Sequence, residues 1–453
     1  MKNIGVILAG GSGTRLGGDL PKQLTKIAGR KVIEHTVEVF EKHPLIDEIC
    51  IVVHPDCMRD VEEIVLVNGF RKVKKILLGG RERYFSSLAA INAYTENVNL
   101  IFHDSVRPLV NQRIITDCVK ALDSYGAVDT AVPTTDTIIQ VNEEREIVFV
   151  PDRSKLRNGQ TPQAFRRDVI ARAYELALQD PEFKTTDDCS VVLKYLPEER
   201  IYVVNGETFN IKLTYKEDAF LLDKLFQLKS VQLLDGNEEF DISRLFKDKC
   251  VVIFGGNSGI GSEMASMLRK HGVTCHAFSR SNGVHVDNAE EVRKALREAY
   301  EASGRIDFVV NCAGVLHKEP LAPMDDIRIA ESIDTNLLGS IIVARESFEY
   351  LKESRGGLLF FTSSSYTRGR AFYTVYSATK AAVVNLTQGL SEEWHGDGIR
   401  VNCINPARTD TPLRRKNFGV EPPESLLKAD RVALVSLKVL TTSMTGEVID
   451  IKL

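Results

Sequence analysis

Two glycine-rich turns, each following a short apolar run, stand about 245 residues apart in this chain, and they constrain its fold more than any other feature. The first lies in IGVILAGGSGTRLG (residues 4–17), the second in CVVIFGGNSGIG (residues 250–261). Both read as a buried strand turning into a helix. Glycine lets backbone N–H groups approach a phosphate because it has no Cβ, and a helix N-terminus favours negative charge. Tight packing also produces glycine-rich strand ends, so the residues downstream of each turn must decide its use.

The rest of the chain is patterned to match. β-Branched runs recur at 49–53, 76–78, 100–103 and 130–133, with helix-spaced stretches such as 32–40 and 114–122 among them. The rhythm restarts at 250–254, 274–278, 308–311, 358–361 and 400–404. Such alternation implies mostly parallel strands with helices on both faces. The expected fold class is α/β: two doubly wound, mostly parallel Rossmann-like sheet domains in tandem. A length of 453 residues suits two domains. The stretch 230–249 mixes charge with turn residues, which places the domains at 1–235 and 248–453 with a linker at 236–247. The two turns differ in spacing and neighbours, so no internal repeat is read.

Composition removes several classes of function. With 43% hydrophobic and 26% charged residues, a net charge of −4 and no long block of like charge, the chain reads as a folded globular protein. It offers no nucleic-acid or membrane surface. Its eight cysteines show no CxxC pair and no Cys/His array at zinc spacing. That usage fits reduced thiols in the cytoplasm better than a disulfide framework. The N-terminal apolar run is too short for a signal segment or a membrane span.

After GGSGTRLG comes PKQL, so Arg15 and Lys22 follow the backbone of Leu8, Ala9, Gly10, Gly11 and Gly13. The segments LLGGRERYFSS (77–87), HDSVRP (103–108), PTTDTI (133–138), GQTPQAF (159–165), TTDD (185–188) and FNIKLT (209–214) come next, in that order. This set resembles the cytidylyltransferase family that includes the methylerythritol-phosphate and ribitol-phosphate enzymes, over residues 1 to about 230. The resemblance implies attack of a phosphate monoester on the α-phosphate of CTP, with pyrophosphate leaving. Such a reaction asks the protein to align two anions and neutralise charge, a role that suits Arg15 and Lys22. Asp104, at a strand end, is placed to hold Mg²⁺ beside the phosphates, since a hard cation takes carboxylate oxygen. The family likeness further implies Gly80, Arg83 and Ser86 at the cytosine and ribose, and Arg153, Thr186 and Lys212 at the acceptor phosphate. It also implies a dimer in which one subunit completes the other's acceptor site.

The second turn, with Gly255, Asn257, Ser258, Gly259, Ile260 and Gly261, is followed by NCAG (Asn311, Ala313, Gly314), by Asn336 in TNLLG, by a serine run at 363–365 and by YSATK at 376–380. This set resembles the short-chain dehydrogenase/reductase family, from about residue 247 to near the C-terminus. Tyr376 and Lys380 are i and i+4 and share a helix face. A tyrosine can work as a general acid near neutrality if an ammonium favours its phenolate. The resemblance implies Ser363, or Ser364, polarising the substrate carbonyl, and Asn336 supporting a proton relay. Where the second strand ends, an acidic residue would bind the ribose 2′-OH of NAD, but Ser279 and Arg280 stand there, which favours NADPH. Asp287, after a further strand, is expected beside the adenine or as a helix cap.

Phe254 stands where the family has threonine, Ala407 replaces a glycine in the NPG-type segment, and the C-terminus VIDIKL lacks Asp-Gly-Gly. Arg408, paired with Arg414 or Arg415, is expected to bind a substrate phosphate, because guanidinium forks match phosphate oxygens.

Together the two likenesses imply reactions in series. A ketose phosphate, D-ribulose 5-phosphate, would be reduced to D-ribitol 5-phosphate and activated as CDP-ribitol for capsule or related cell-surface polymers. Alternatives are a methylerythritol-phosphate cytidylyltransferase carrying an unrelated reductase, and a transferase whose second half only binds NADPH. Partners would be small-molecule substrates and a second copy of the chain, as a homodimer or larger assembly.

Overall fold

In this computed structural model the described residues are 1–11, 21–80, 82–234 and 240–453, the side chains of 227–234 excepted. They form two compact units, Met1–Asp223 and Lys224–Leu453. The division falls inside the helix Lys216–Leu234.

The first unit is built on a seven-stranded sheet. Its spatial order is Ile201–Asn205, Ala127–Pro133, Arg157–Arg166, Val98–Asp104, Lys2–Ala9, Glu48–Val53 and Val73–Leu78. All neighbours are parallel except Arg157–Arg166, which runs antiparallel to both strands beside it. The strand Lys2–Ala9 shows why helices cover both faces. Ile4, Val6 and Leu8 enter one apolar cluster while Ile7 and Ala9 enter another. Side chains alternate across a strand, so a continuous apolar run needs a core on each side.

The second unit repeats the principle with six parallel strands. The order is Thr274–Phe278, Cys250–Phe254, Phe308–Asn311, Gly357–Phe361, Arg400–Pro406 and Val448–Ile451. Val251 and Ile253 pack into one core, Cys250, Val252 and Phe254 into the other. Thr274–Phe278 is an edge strand. The strand expected just before Asp287 is not formed: the chain passes through a short helical turn, Arg280–Asn282, and bends to the helix Ala289–Ser303. That is a correction, and its cause is local, because SRSNG caps and turns itself through Ser279 and Asn282.

Ile242 and Phe246 are buried in the second unit's core, so the end of the segment expected as linker is packed structure. No helix among the described residues is long and apolar enough to cross a membrane.

Candidate functional site

Charge collects at the C-terminal edge of the first sheet. The strand Val98–Asp104 is buried throughout and ends in a carboxylate, which lies in register with Leu8 and so beside the first glycine turn. Lys212 Nζ is 2.8 Å from Asp104 Oδ2, Arg107 Nε is 3.6 Å from the same oxygen, and Arg83 Nε is 3.8 Å from Oδ1. A separate piece of chain delivers each cation. Arg83 opens the helix Arg83–Ala93. Arg107 donates to the Asn210 carbonyl at 2.8 Å, and the Leu213 N–H donates to the Val106 carbonyl at 2.9 Å, which presses the Lys212 segment onto Asp104. Burial would raise the Asp104 carboxyl, but Lys212, Arg83 and Arg107 outweigh it and hold it far below the usual carboxylate range.

Arg83 is gripped a second time by the fully buried Asp188, which also accepts from the Tyr174 hydroxyl at 2.7 Å. Burial opposes the Arg83 charge, but Asp188 and Asp104 raise its guanidinium above the ordinary value. The two glycine loops of this site meet at one side chain. A Cβ on either Gly10 or Gly79 would stand 2.6 Å from Ser86 Oγ. Gly80 is closed over by Phe85, whose Cβ would be 2.4 Å from one built on the glycine. Leu8 and Ala9 are buried framework, and the Ala9 carbonyl accepts from the Gln23 amide at 3.1 Å. That bond fixes PKQL, leaving Lys22 Nζ 3.9 Å from a Cβ built on Gly11. Gly13 and Arg15 lie outside the described residues.

The remaining acceptor-site expectations separate. Lys212 is gathered onto Asp104. Arg153 is exposed, donates to the Thr135 carbonyl at 3.2 Å, and shares a cavity of about 520 Å³ with Thr134, Asp152 and Arg157. Thr186 is exposed, while its neighbour Asp188 is the buried anchor of Arg83.

The second unit holds a cavity of about 1000 Å³. Gly255, Asn257, Ser258, Gly259, Ile260 and Gly261 form one wall, and Ala313, Gly314, Ser363, Tyr376 and Lys380 another. Glycine is required here by close approach. Gly255 has φ +73°, and its Cβ would be 2.6 Å from Ala313 N; one on Gly261 would be 2.4 Å from the Gly255 carbonyl oxygen. The helix Gly259–Lys270 begins at this wall, so its N-terminal field favours an anion in the cradle.

Tyr376 and Lys380 lie on the helix Thr374–Glu393, with Lys380 Nζ 5.7 Å from the Tyr376 ring centre and donating to the Phe361 carbonyl at 2.8 Å. Burial pushes Tyr376 up to about 12, against a hydrogen bond with Ser363. Burial pulls Lys380 down to about 8. Within the serine run it is thus Ser363 that faces the tyrosine. Ser365 is buried and donates to Ser363 Oγ at 3.3 Å, and Ser364 lines the cavity.

Asn336 sits on the π-helical turn Asp334–Leu338, a form frequent at functional sites. Its amide closes on Val315, accepting the N–H at 2.9 Å and donating to the carbonyl at 3.0 Å. Both ends being held, this side chain fixes the loop that carries Val315. Asn311 does the same for the preceding residues, accepting from Ala313 N–H at 3.1 Å.

At the far end of the cavity Ser279, Arg280 and Asp287 are all lining residues. Asp287 does not cap the next helix; Asn288 does, accepting from the Glu290 N–H at 3.1 Å. At the near end Arg408 lines the cavity and is exposed, whereas Arg414 forms a two-pronged pair with Glu421 at 2.7 and 2.9 Å. Arg415 is corrected: it pairs with Asp410 at 2.6 and 2.7 Å and does not line the cavity. Arg370, Tyr373 and Glu421 also line it and were not singled out from sequence. Nor were Arg107 and Asp188, although both stand inside quoted motifs.

Residues 4–227 match the 2-C-methyl-D-erythritol 4-phosphate cytidylyltransferase family, and residues 283–420 match the short chain dehydrogenase family. Over 456 aligned positions, 100% of this chain and 96% of the relative, the chain is 47% identical to the bifunctional ribulose 5-phosphate reductase/CDP-ribitol pyrophosphorylase Bcs1 of Haemophilus influenzae. The chain belongs to this bifunctional family. Its first module alone is 44% identical to the 2-C-methyl-D-erythritol 4-phosphate cytidylyltransferase of Thermobifida fusca (strain YX), over 49% of this chain and 92% of that protein. A crystal structure of 4-diphosphocytidyl-2C-methyl-D-erythritol synthase from Anaerococcus prevotii aligns with 50% of this chain and 99% of its own, at 30% identity and a TM-score of 0.44. As a member of the bifunctional family the chain is an enzyme with two modules, a cytidylyltransferase and a short-chain dehydrogenase/reductase.

Proposed function

We propose that this enzyme reduces D-ribulose 5-phosphate to D-ribitol 5-phosphate with NADPH at the second unit, then transfers a cytidylyl group from CTP to that product at the first. CDP-ribitol and pyrophosphate result, the former supplying a capsule or related cell-surface polymer. One observation carries the reading: an anion-binding carboxylate–cation cluster and a Tyr–Lys–Ser cavity stand in one chain that aligns end to end with a fused relative.

At the first site a phosphate oxygen of ribitol 5-phosphate attacks the α-phosphorus of CTP, and the bond to the β-phosphate breaks. Lys22, held above the glycine turn by Gln23, neutralises the triphosphate together with Arg15, and Lys212 orients the acceptor. The work is positioning and charge stabilisation. One ionised carboxylate beside phosphate oxygens and water suits Mg²⁺, and Asp104 would hold it there. Bound in that place, the ion would neutralise charge developing on the phosphates. Gly80, Arg83 and Ser86 frame the nucleoside side, with Arg83 fixed by Asp188.

At the second site a Cβ would fill the cradle at Gly255 and Gly261, so the residues fit a dinucleotide pyrophosphate. Bound in that cradle, NADPH would supply the hydride for the ketone carbon. Tyr376, kept protonated at neutral pH by burial, gives its proton to the carbonyl oxygen, and the Lys380 ammonium stabilises the phenolate left behind. Ser363 hydrogen-bonds the same oxygen, and Arg408 with Arg414 receives the substrate phosphate.

The apolar arm at 138–150 exposes Ile147, Val148 and Phe149 to solvent, with Arg153 just beyond it. Such a patch calls for a partner, and a second copy whose Arg153 and Thr186 complete the acceptor site is the occupant we favour. Eight free thiols suit a cytoplasmic setting.

The test follows NADPH absorbance and pyrophosphate together in a mixture of protein, ribulose 5-phosphate, NADPH, CTP and Mg²⁺. Both signals, with CDP-ribitol as product, are expected. NADPH loss without CDP-ribitol, or no NADPH loss, would overturn the reading. Lys22→Ala should remove CDP-ribitol formation even when ribitol 5-phosphate is supplied.

A further inference from the structure

The end of the edge strand Thr274–Phe278 carries no acidic residue, and its rim is built of hydroxyls and one cation. Ser279 Oγ and Ser281 Oγ are 2.8 Å apart, and the Asn257 amide donates to Ser281 Oγ at 3.0 Å. Arg280 stands on this rim. An acidic group reaches the place nonetheless, from a different element. The helix Asp326–Ile333 presents Glu331 to the same cavity, with Oε1 3.1 Å from Arg280 Nη1 and Oε2 2.8 Å from His317 Nε2. Arg280, Glu331 and His317 all line that cavity.

The arrangement has a chemical consequence for the two dinucleotides. A ribose 2′-phosphate needs Arg280 and the Ser279 and Ser281 hydroxyls, but finds Arg280 already holding a carboxylate of like charge to itself. A ribose 2′-hydroxyl, by contrast, can donate to Glu331. From sequence, Ser279 and Arg280 in place of an acidic residue point to NADPH; the structure sets an opposing group on Arg280, 51 positions later in the chain.

We propose that Glu331 is a specificity-determining residue of the dinucleotide site, whose carboxylate competes with the 2′-phosphate for Arg280 and narrows the preference for NADPH over NADH. This rests on the reading that the cavity takes a nicotinamide dinucleotide. His317 holds the second carboxylate oxygen and so keeps Glu331 aimed at Arg280 instead of at solvent.

The experiment is equilibrium binding to the full-length chain, read by the fluorescence of the bound reduced dinucleotide and by displacement with adenosine 2′,5′-bisphosphate or 5′-AMP. Glu331→Gln should tighten NADPH and the bisphosphate about tenfold, what one screened charge contact near a surface is worth, and leave NADH and 5′-AMP within about threefold. Glu331→Asp keeps the charge and should stay near the parent values, which separates loss of charge from disturbance of the helix. Equal change in both dinucleotides, or no change in either, would overturn the proposal. If neither dinucleotide binds the unmodified chain, the reading of the cavity falls, and this proposal with it.

Discussion

The two units handle anionic substrates with opposite materials. The first gathers charged side chains: three cations converge on Asp104 and a fourth, Lys22, lies over the glycine turn. The second works at its reacting centre through backbone and burial, with glycines in close backbone approach and a tyrosine and lysine displaced in opposite directions by desolvation. The contrast follows from the chemistry. Moving a nucleotidyl group demands neutralisation of a large, fixed negative charge, whereas delivering a proton beside a hydride demands one acid of tuned strength.

The contrast is broken most severely by removing the one proton donor. Tyr376→Phe should lower the reduction rate by about a thousandfold, the range for loss of a general acid, with pyrophosphate release from CTP and ribitol 5-phosphate unchanged. NADPH absorbance and a pyrophosphate assay on the same preparation check it.

Asp104→Asn should do the reverse, cutting cytidylyl transfer about a hundredfold while leaving ketose reduction intact. It should also cost about 3 kcal/mol of first-unit stability, because Lys212 and Arg107 then face Arg83 without the carboxylate they share, Arg83 alone keeping Asp188. Calorimetric melting measures that loss.

Acid should separate the units in the same direction. His35 and His103 are buried in the first unit, and desolvation depresses each to about 4. Among the described residues the second unit buries no histidine. Below about pH 6.5 the unfolded chain binds protons that these two refuse until about pH 4, so first-unit stability falls across that window by on the order of 3 kcal/mol for each. Melting at stepped pH should show the first unit's transition dropping ahead of the second's.

The glycine turns should respond unequally to one methyl group. In Gly255→Ala the new Cβ meets backbone at a φ of +73°, and a loss of about 2 kcal/mol is expected with weaker dinucleotide binding. In Gly10→Ala the one close contact is Ser86 Oγ, which a side-chain rotation can move, so melting should shift by less than half as much. The smallest effect is a pH profile. With Tyr376 held near 12 and Lys380 near 8, kcat/KM for reduction should be level around neutrality and decline as pH passes about 8, where the ammonium is lost.

Much of the framework is legible in residue order. The runs at 250–254 and 308–311 coincide with strands because parallel strands covered on both faces are almost continuously apolar. The strand Arg157–Arg166, RNGQTPQAFR, is hidden because it is polar at one end, contains proline and runs antiparallel to both its neighbours. Ile201–Asn205 and Val448–Ile451, each at an edge of its sheet, fall outside the runs read from the sequence.

The site divides the same way. Gly255, Ser363, Tyr376 and Lys380 are set by short spacings, since the local strand, turn or helix that carries them fixes their geometry. Sequence alone therefore determined two α/β modules, two glycine cradles and the residue types of two chemistries. Only the tertiary structure decided that Asp188 anchors Arg83, that Lys212 and Arg107 close on Asp104, that Arg414 rather than Arg415 enters the cavity, and that Glu331 reaches Arg280. Apart from Arg107, which follows Asp104 within one turn, these pairs join residues 51 to more than a hundred positions apart, and charge acts through space, so no periodicity in the chain announces them.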